Sequence, residues 1–158
     1  MVLRSEIENA VNEQRSNLAK RQGGVLRDLP INLKLSTHYI LIITGIRRCG
    51  KSTLMHQFRY KASKNAAFFN FEDSRINGFE LNDFSKLAEI LGKETKFYFF
   101  DEVQNIPGWE IFMRQLHDQK KIICITGSNA SLLSKELGTK LTGRNIQMEL
   151  FPFSYLEY

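Results

Sequence analysis

An apolar run from Tyr39 to Thr44 ends in Gly45-Ile46-Arg47-Arg48-Cys49-Gly50-Lys51-Ser52, and the stretch that follows, Thr53 to Ala62, places Leu54 and Phe58 four residues apart. A continuous apolar run of this kind suits a strand buried on both faces, as in a parallel sheet. Apolar residues at i and i+4 share one face of a helix. Strand, glycine turn and helix in that order satisfy GxxxxGK(S/T) in the one context where the pattern has a mechanism. At ordinary glycine usage the bare pattern arises in roughly one chain of this length in two hundred, and the flanking strand and helix make it rarer still. Glycines let the backbone curl so that successive N–H groups point inward, and a helix N-terminus adds partial positive charge. Residues 45–54 therefore read as an anion cradle, a P-loop for ATP or ADP made by Gly45, Ile46, Arg47, Arg48, Cys49, Gly50, Lys51, Ser52, Thr53 and Leu54. Lys51 is expected to reach the β- and γ-phosphates, and the Ser52 hydroxyl to ligate Mg²⁺.

The rest of the chain repeats the same alternation. Ile7, Val11 and Leu18 recur at helical spacing between Ser5 and Lys20, before Gly23 and Gly24 break the pattern. Strands are predicted at Ala66 to Phe71, Lys96 to Phe100, Lys121 to Thr126 and Asn145 to Leu150. Helices are predicted at Glu80 to Leu91, along the stretch carrying Trp109, Phe112, Met113 and Leu116, and at about Ala130 to Leu137. Strands alternating with helices of this length imply right-handed crossovers and a three-layer α/β domain. The chain's 158 residues, 42% of them apolar, suffice for one core.

Phe97-Tyr98-Phe99-Phe100-Asp101-Glu102 delivers two consecutive acids at the end of an apolar strand. Asp101 suits the Mg²⁺ shell, as a Walker B acid, and Glu102 can orient an attacking water as a general base. Strand four ends in Thr126-Gly127-Ser128-Asn129, at the edge where open parallel sheets gather their chemistry. Ser128 and Asn129 carry two readings, a sensor between the acids and the γ-phosphate or a helix N-cap. Arg144, after Gly143, reads either as an arginine finger, within the chain or across a subunit interface, or as a solvated surface arginine. Glu72 and Asp73 suit either the metal site or a turn cap. Arg47 and Arg48 suit phosphate or partner contacts, or solvent. Cys49, at a helix N-terminus, is expected to be a reactive thiolate that ATP protects from alkylation. His38, His56 and His117 have no partners at metal or triad spacing.

Composition narrows the setting. Cys49 and Cys124 form no metal or disulfide pattern. No apolar run approaches the roughly 20 residues of a membrane span, and no secretory signal opens the chain, so a cytoplasmic setting is expected. A net charge of +5 suits a polyanionic partner or simple solubility. The absence of an Asn-Lys-x-Asp run favours ATP over GTP.

These motifs, in order, resemble the AAA-type ATP-binding proteins common in bacteria and archaea. The likeness runs through 43–54, Phe69-Asn70-Phe71-Glu72-Asp73, Phe100-Asp101-Glu102-Val103-Gln104-Asn105, Gly108-Trp109-Glu110 and Ile125-Thr126-Gly127-Ser128-Asn129. It continues through Leu141-Thr142-Gly143-Arg144 to Phe151-Pro152-Phe153-Ser154-Tyr155-Leu156-Glu157-Tyr158. The resemblance implies a P-loop NTPase domain at 37–158, preceded by a helical segment at 1–36, with a five-stranded parallel sheet of order 5-1-4-3-2 and helices on both faces. It further implies a C-terminal winged-helix or nuclease-like region, absent from this stretch, through which DNA or a protein would be engaged. The expected activity is ATP hydrolysis, slow in the isolated domain. The rival readings are a nucleotide-dependent switch without turnover and, on the same loop, a small-molecule kinase.

Overall fold

The computed structural model describes residues 1–20, 34–63, 65–128 and 143–152. The Gly23-Gly24 break, the helix expected at 130–137, Asn129 and the segment 153–158 lie outside the described residues. Five strands, β1 (Ile40–Thr44), β2 (Ala67–Asn70), β3 (Phe97–Asp101), β4 (Ile122–Gly127) and β5 (Asn145–Glu149), form one sheet of order β2-β3-β4-β1-β5. That is the expected order read from the opposite edge. Every pairing is parallel, with Ile42 opposite both Ile125 and Gln147.

Alternation along the strands divides the apolar residues between two layers. On one face Ile40, Ile42, Phe69, Tyr98, Phe100, Ile123 and Ile125 meet three helices, α1 (Arg4–Lys20), α3 (Asp83–Leu91) and α4 (Trp109–Asp118). On the other face Leu41, Ile43, Phe68, Phe99 and Cys124 pack against Leu54 and Met55 of α2 (Lys51–Ala62). Aromatic rings interlock within the first layer: Phe84 stacks on Phe112 at 4.5 Å, and Phe71 lies 5.5 Å from both Phe79 and Phe84. Burying each such ring is worth roughly 1.5–3 kcal/mol.

Helix α1 belongs to this core, since Ile7, Ala10 and Val11 are fully buried in the same cluster as the strand residues. It also closes an edge. The Gln14 side chain accepts from the Asn70 backbone N–H at 2.8 Å and donates to the Asn70 carbonyl at 3.2 Å. An amide side chain thus stands in for the neighbouring strand that edge strand β2 lacks at its end among the described residues.

The strand ends shift by at most one residue from expectation, and two helix starts shift by two or three. Helix α2 starts at Lys51 rather than Thr53, so Lys51 and Ser52 sit in its first turn. Helix α3 starts at Asp83 rather than Glu80. The fully buried Asp83 carboxylate accepts from the backbone N–H groups of Val2, at 3.0 Å, and Glu80, at 3.1 Å, and from Lys86, at 2.7 Å. Bound this way, it fixes a turn before the helix can begin.

Burial alone would raise the Asp83 pKa, but the Lys86 and backbone hydrogen bonds outweigh it and hold the carboxyl below its ordinary value. A group depressed in the folded state contributes stability above its unfolded pKa, about 3.9, and loses it as pH falls through the folded value. Asp83→Asn should therefore destabilise the fold by roughly 1–3 kcal/mol at pH 7. The difference from the parent should shrink as urea denaturation is repeated from about pH 5 downward, and a difference independent of pH would contradict this role for Asp83.

Candidate functional site

The C-terminal ends of β1, β3 and β4 converge beside the N-terminus of α2. Gly45 follows β1 with φ 146°, and a Cβ there would lie 2.3 Å from the Leu150 carbonyl oxygen and 2.9 Å from Cys49 Sγ. Only glycine fits that approach. Gly50, at φ 95°, then precedes α2, which has neither a side-chain cap nor an acid in its first turn. The helix dipole and first-turn N–H groups thus meet no carboxylate of their own.

Lys51 is buried, 4% exposed, and its Nζ donates to the carbonyl oxygens of Gly45, at 3.0 Å, and Ile46, at 2.8 Å. The same ammonium lies 4.0 Å from Glu102 Oε1. Arg47, Arg48, Gly50, Lys51, Thr53 and Glu102 are among the walls of a cavity of about 480 Å³. Ser52 lines it too, and with Glu72 and Glu102 is shared with a second hollow of about 410 Å³ reaching past Asp101 and His56 towards α1. The two make one polar trough along the sheet edge.

The adjacent acids sit in different surroundings. Asp101 is 5% exposed, and burial raises its pKa against the opposing hydrogen bonds from Thr126 and Ser52. The fully buried Thr126 donates its hydroxyl to Asp101 Oδ1 and accepts from the Glu102 backbone N–H at 3.1 Å. Glu102 adopts a left-handed backbone, φ 54°, uncommon for a residue with a side chain. Its Oε2 accepts from Gln104 Nε2 at 2.6 Å, Ser128 Oγ at 2.9 Å and the Ser128 backbone N–H at 3.2 Å.

Of the sequence candidates, Gly45 to Leu54, Asp101, Glu102 and Ser128 gather at this edge. Asn129 lies outside the described residues. Arg144 stands at the other end of the sheet: its carbonyl accepts from the Ile40 N–H at 2.8 Å, and its guanidinium pairs with Asp118 at 3.1 Å. At about 3.3 Å per residue, the five-residue β1 separates it from its own P-loop by about 16 Å, beyond the reach of an arginine side chain. A finger role within the chain is thus closed to it. Glu72 pairs with Arg47 at 3.0 Å. Asp73 caps a 3-10 turn, Ser74–Ile76, by accepting from the Arg75 N–H at 3.0 Å. The reactive thiolate expected at Cys49 is corrected: the residue is 3% exposed and packed in the apolar layer with Leu41 and Ile43, where a thiol behaves as a small hydrophobe.

Sequence reasoning assigned nothing to Thr126 or Gln104. Thr126 carried one available signal, a hydroxyl residue ending an apolar strand that pairs with the acid-bearing strand.

A family model described as an AAA domain matches residues 37–158. An uncharacterised protein of Methanocaldococcus jannaschii is 39% identical over 144 residues, 89% of this chain and 32% of its own length. One from Haemophilus influenzae is 37% identical over 133 residues, 77% of this chain and 33% of its own. A second Methanocaldococcus jannaschii protein is 26% identical over 129 residues, 75% of this chain and 27% of its own. The chain spans about a third of the length of these relatives, or less.

Thr126→Val keeps the side-chain shape while removing the donor to Asp101 and the acceptor for the Glu102 N–H. It should destabilise the fold by roughly 1–3 kcal/mol, measured by urea denaturation. An unchanged midpoint would mean that the hydroxyl does not bridge the two acids.

Proposed function

The chain belongs to the AAA-domain family, and on that premise we propose that it binds ATP·Mg²⁺ in the P-loop trough and hydrolyses it. The carrying observation is that the P-loop lysine and the acid directly after β3 face each other, Lys51 Nζ 4.0 Å from Glu102 Oε1, across a cavity that both line. In this reading the backbone of Gly45, Ile46, Arg47, Arg48, Cys49, Gly50, Thr53 and Leu54 shapes the cradle, and Lys51 turns from the loop carbonyls to the β- and γ-phosphates. Ser52 and Asp101 would hold Mg²⁺. Their oxygen donors meet each other at the trough floor, the hard-ligand set that this ion prefers. Bound there, Mg²⁺ would neutralise charge on the β- and γ-phosphate oxygens. Glu102 would orient the attacking water and accept its proton, and Ser128, bonded to Glu102 Oε2, would link that carboxylate to the end of β4.

A nucleotide-dependent switch without turnover, DNA-associated or otherwise, is the second reading. It draws support from the three hydrogen bonds already on Glu102 Oε2. Coupling to an attached or partner module is proposed for the longer protein, as is Arg144 acting on the trough of a second copy. A cytoplasmic setting is part of the same proposal; among the described residues no helix is long and apolar enough to cross a membrane.

Lys51→Ala should abolish ATP·Mg²⁺ binding while the fold survives, and affinity within about threefold of the parent, roughly 0.65 kcal/mol, would refute the site. Glu102→Gln should bind as the parent does and release phosphate about 10²–10⁴-fold more slowly. Equal rates would favour the switch.

For Arg144, specific activity should climb with protein concentration, and Arg144→Ala should remove that dependence while sparing ATP binding. Mixing Arg144→Ala with Lys51→Ala should restore turnover, since one variant keeps the trough and the other keeps the arginine. Flat activity over a hundredfold dilution, without rescue on mixing, would leave Arg144 as a structural residue.

A further inference from the structure

Gln104 lies in the 3-10 turn Val103–Asn105 that directly follows Glu102. The left-handed backbone at Glu102 folds the chain back, so that a residue two positions on lies beside its carboxylate. Gln104 Nε2 donates to Glu102 Oε2 at 2.6 Å, the shortest of the three bonds to that oxygen, and approaches Ser128 Oγ at 3.4 Å. The other end of the amide is unsupported: Gln104 Oε1 is buried and has no hydrogen-bond partner among the described residues. A buried acceptor without a partner is costly, so this glutamine contributes little stability for its own sake. What it does is hold one carboxylate oxygen.

We propose that Gln104 is a positioning residue that fixes the Glu102 carboxylate, occupying Oε2 and leaving Oε1 to face Lys51 and the trough. The bond crosses between residues of one turn, and with the Ser128 hydroxyl and N–H it closes a three-donor clamp on a single oxygen. A carboxylate held this way presents the other oxygen in one orientation, which is what ordering a water against a phosphate requires. The proposal rests on Glu102 acting on the attacking water, and it adds the residue that aims it.

The orphaned carbonyl offsets what the bond to Glu102 gains, so stability and function should separate. Gln104→Met, unbranched and of similar length, should leave the denaturation midpoint unchanged or raised and the KM for ATP within about threefold. Its kcat for phosphate release should fall at least tenfold. In ¹⁵N-labelled protein the Gln104 side-chain amide signals, assigned by their loss in Gln104→Met, should include a proton displaced downfield. Glu102→Ala should return that proton to the ordinary range. A kcat within twofold of the parent would overturn the proposal, as would a loss of kcat matched by lower stability, or an amide signal indifferent to Glu102→Ala. Should the parent bind ATP and release no phosphate, hydrolysis itself is refuted, and the amide signal still decides whether Gln104 holds Glu102.

Discussion

β1 lies between β4 and β5 and runs parallel to both, so three neighbouring strands deliver their last residues to one edge. At that edge Gly45 lies against the Leu150 carbonyl, where a Cβ would stand 2.3 Å from oxygen. The loop turns there because nothing projects from its first residue. Lys51 and Ser52 then fall in the first turn of α2, opposite Asp101 and Glu102. Any side chain at residue 45 would push the loop away from β5 and move the lysine away from the acids. The chemistry proposed for the trough depends on this contact as well as on its charged groups.

Asp101 and Glu102 divide their work by environment. Asp101 sits at the buried end of β3, where burial raises its pKa and the Thr126 and Ser52 hydroxyls partly restore the charged form. Glu102 has already left the strand, and its carboxylate is clamped through one oxygen while the other faces the lysine. One threonine serves both, as donor to the first side chain and acceptor for the second backbone. Two neighbouring acids are thereby kept in separate surroundings, matching the separate roles proposed for them, one towards a cation and one towards a water.

Much of this was legible in the sequence because it follows from burial and periodicity. β1 to β4 are apolar on both faces, so their positions were visible without knowing their neighbours, and the glycine-lysine-serine loop could be placed between a strand and a helix. Much of what escaped the sequence was polar and long-range. Asp83 stops α3 from starting at Glu80 through a partner 81 residues away. Gln14 mimics a strand for Asn70 across 56 residues. Neither pairing has a period or a local spacing to reveal it. Cys49 was misread because its burial depends on how α2 seats against the sheet, and a helix N-terminus seen in sequence alone suggests exposure. For Arg144, only the parallel register of β5 shows which end of the sheet it occupies.

The proposed nucleotide site occupies one edge of the sheet. Hydrogen exchange with and without ATP·Mg²⁺ tests it residue by residue. Nucleotide bound there should slow exchange at the backbone amides of 45–54, 101–102 and 126–128, with no change around Asp118 to Lys121 at the opposite edge. Protection confined to the opposite edge, or none at saturating ATP·Mg²⁺, would contradict it.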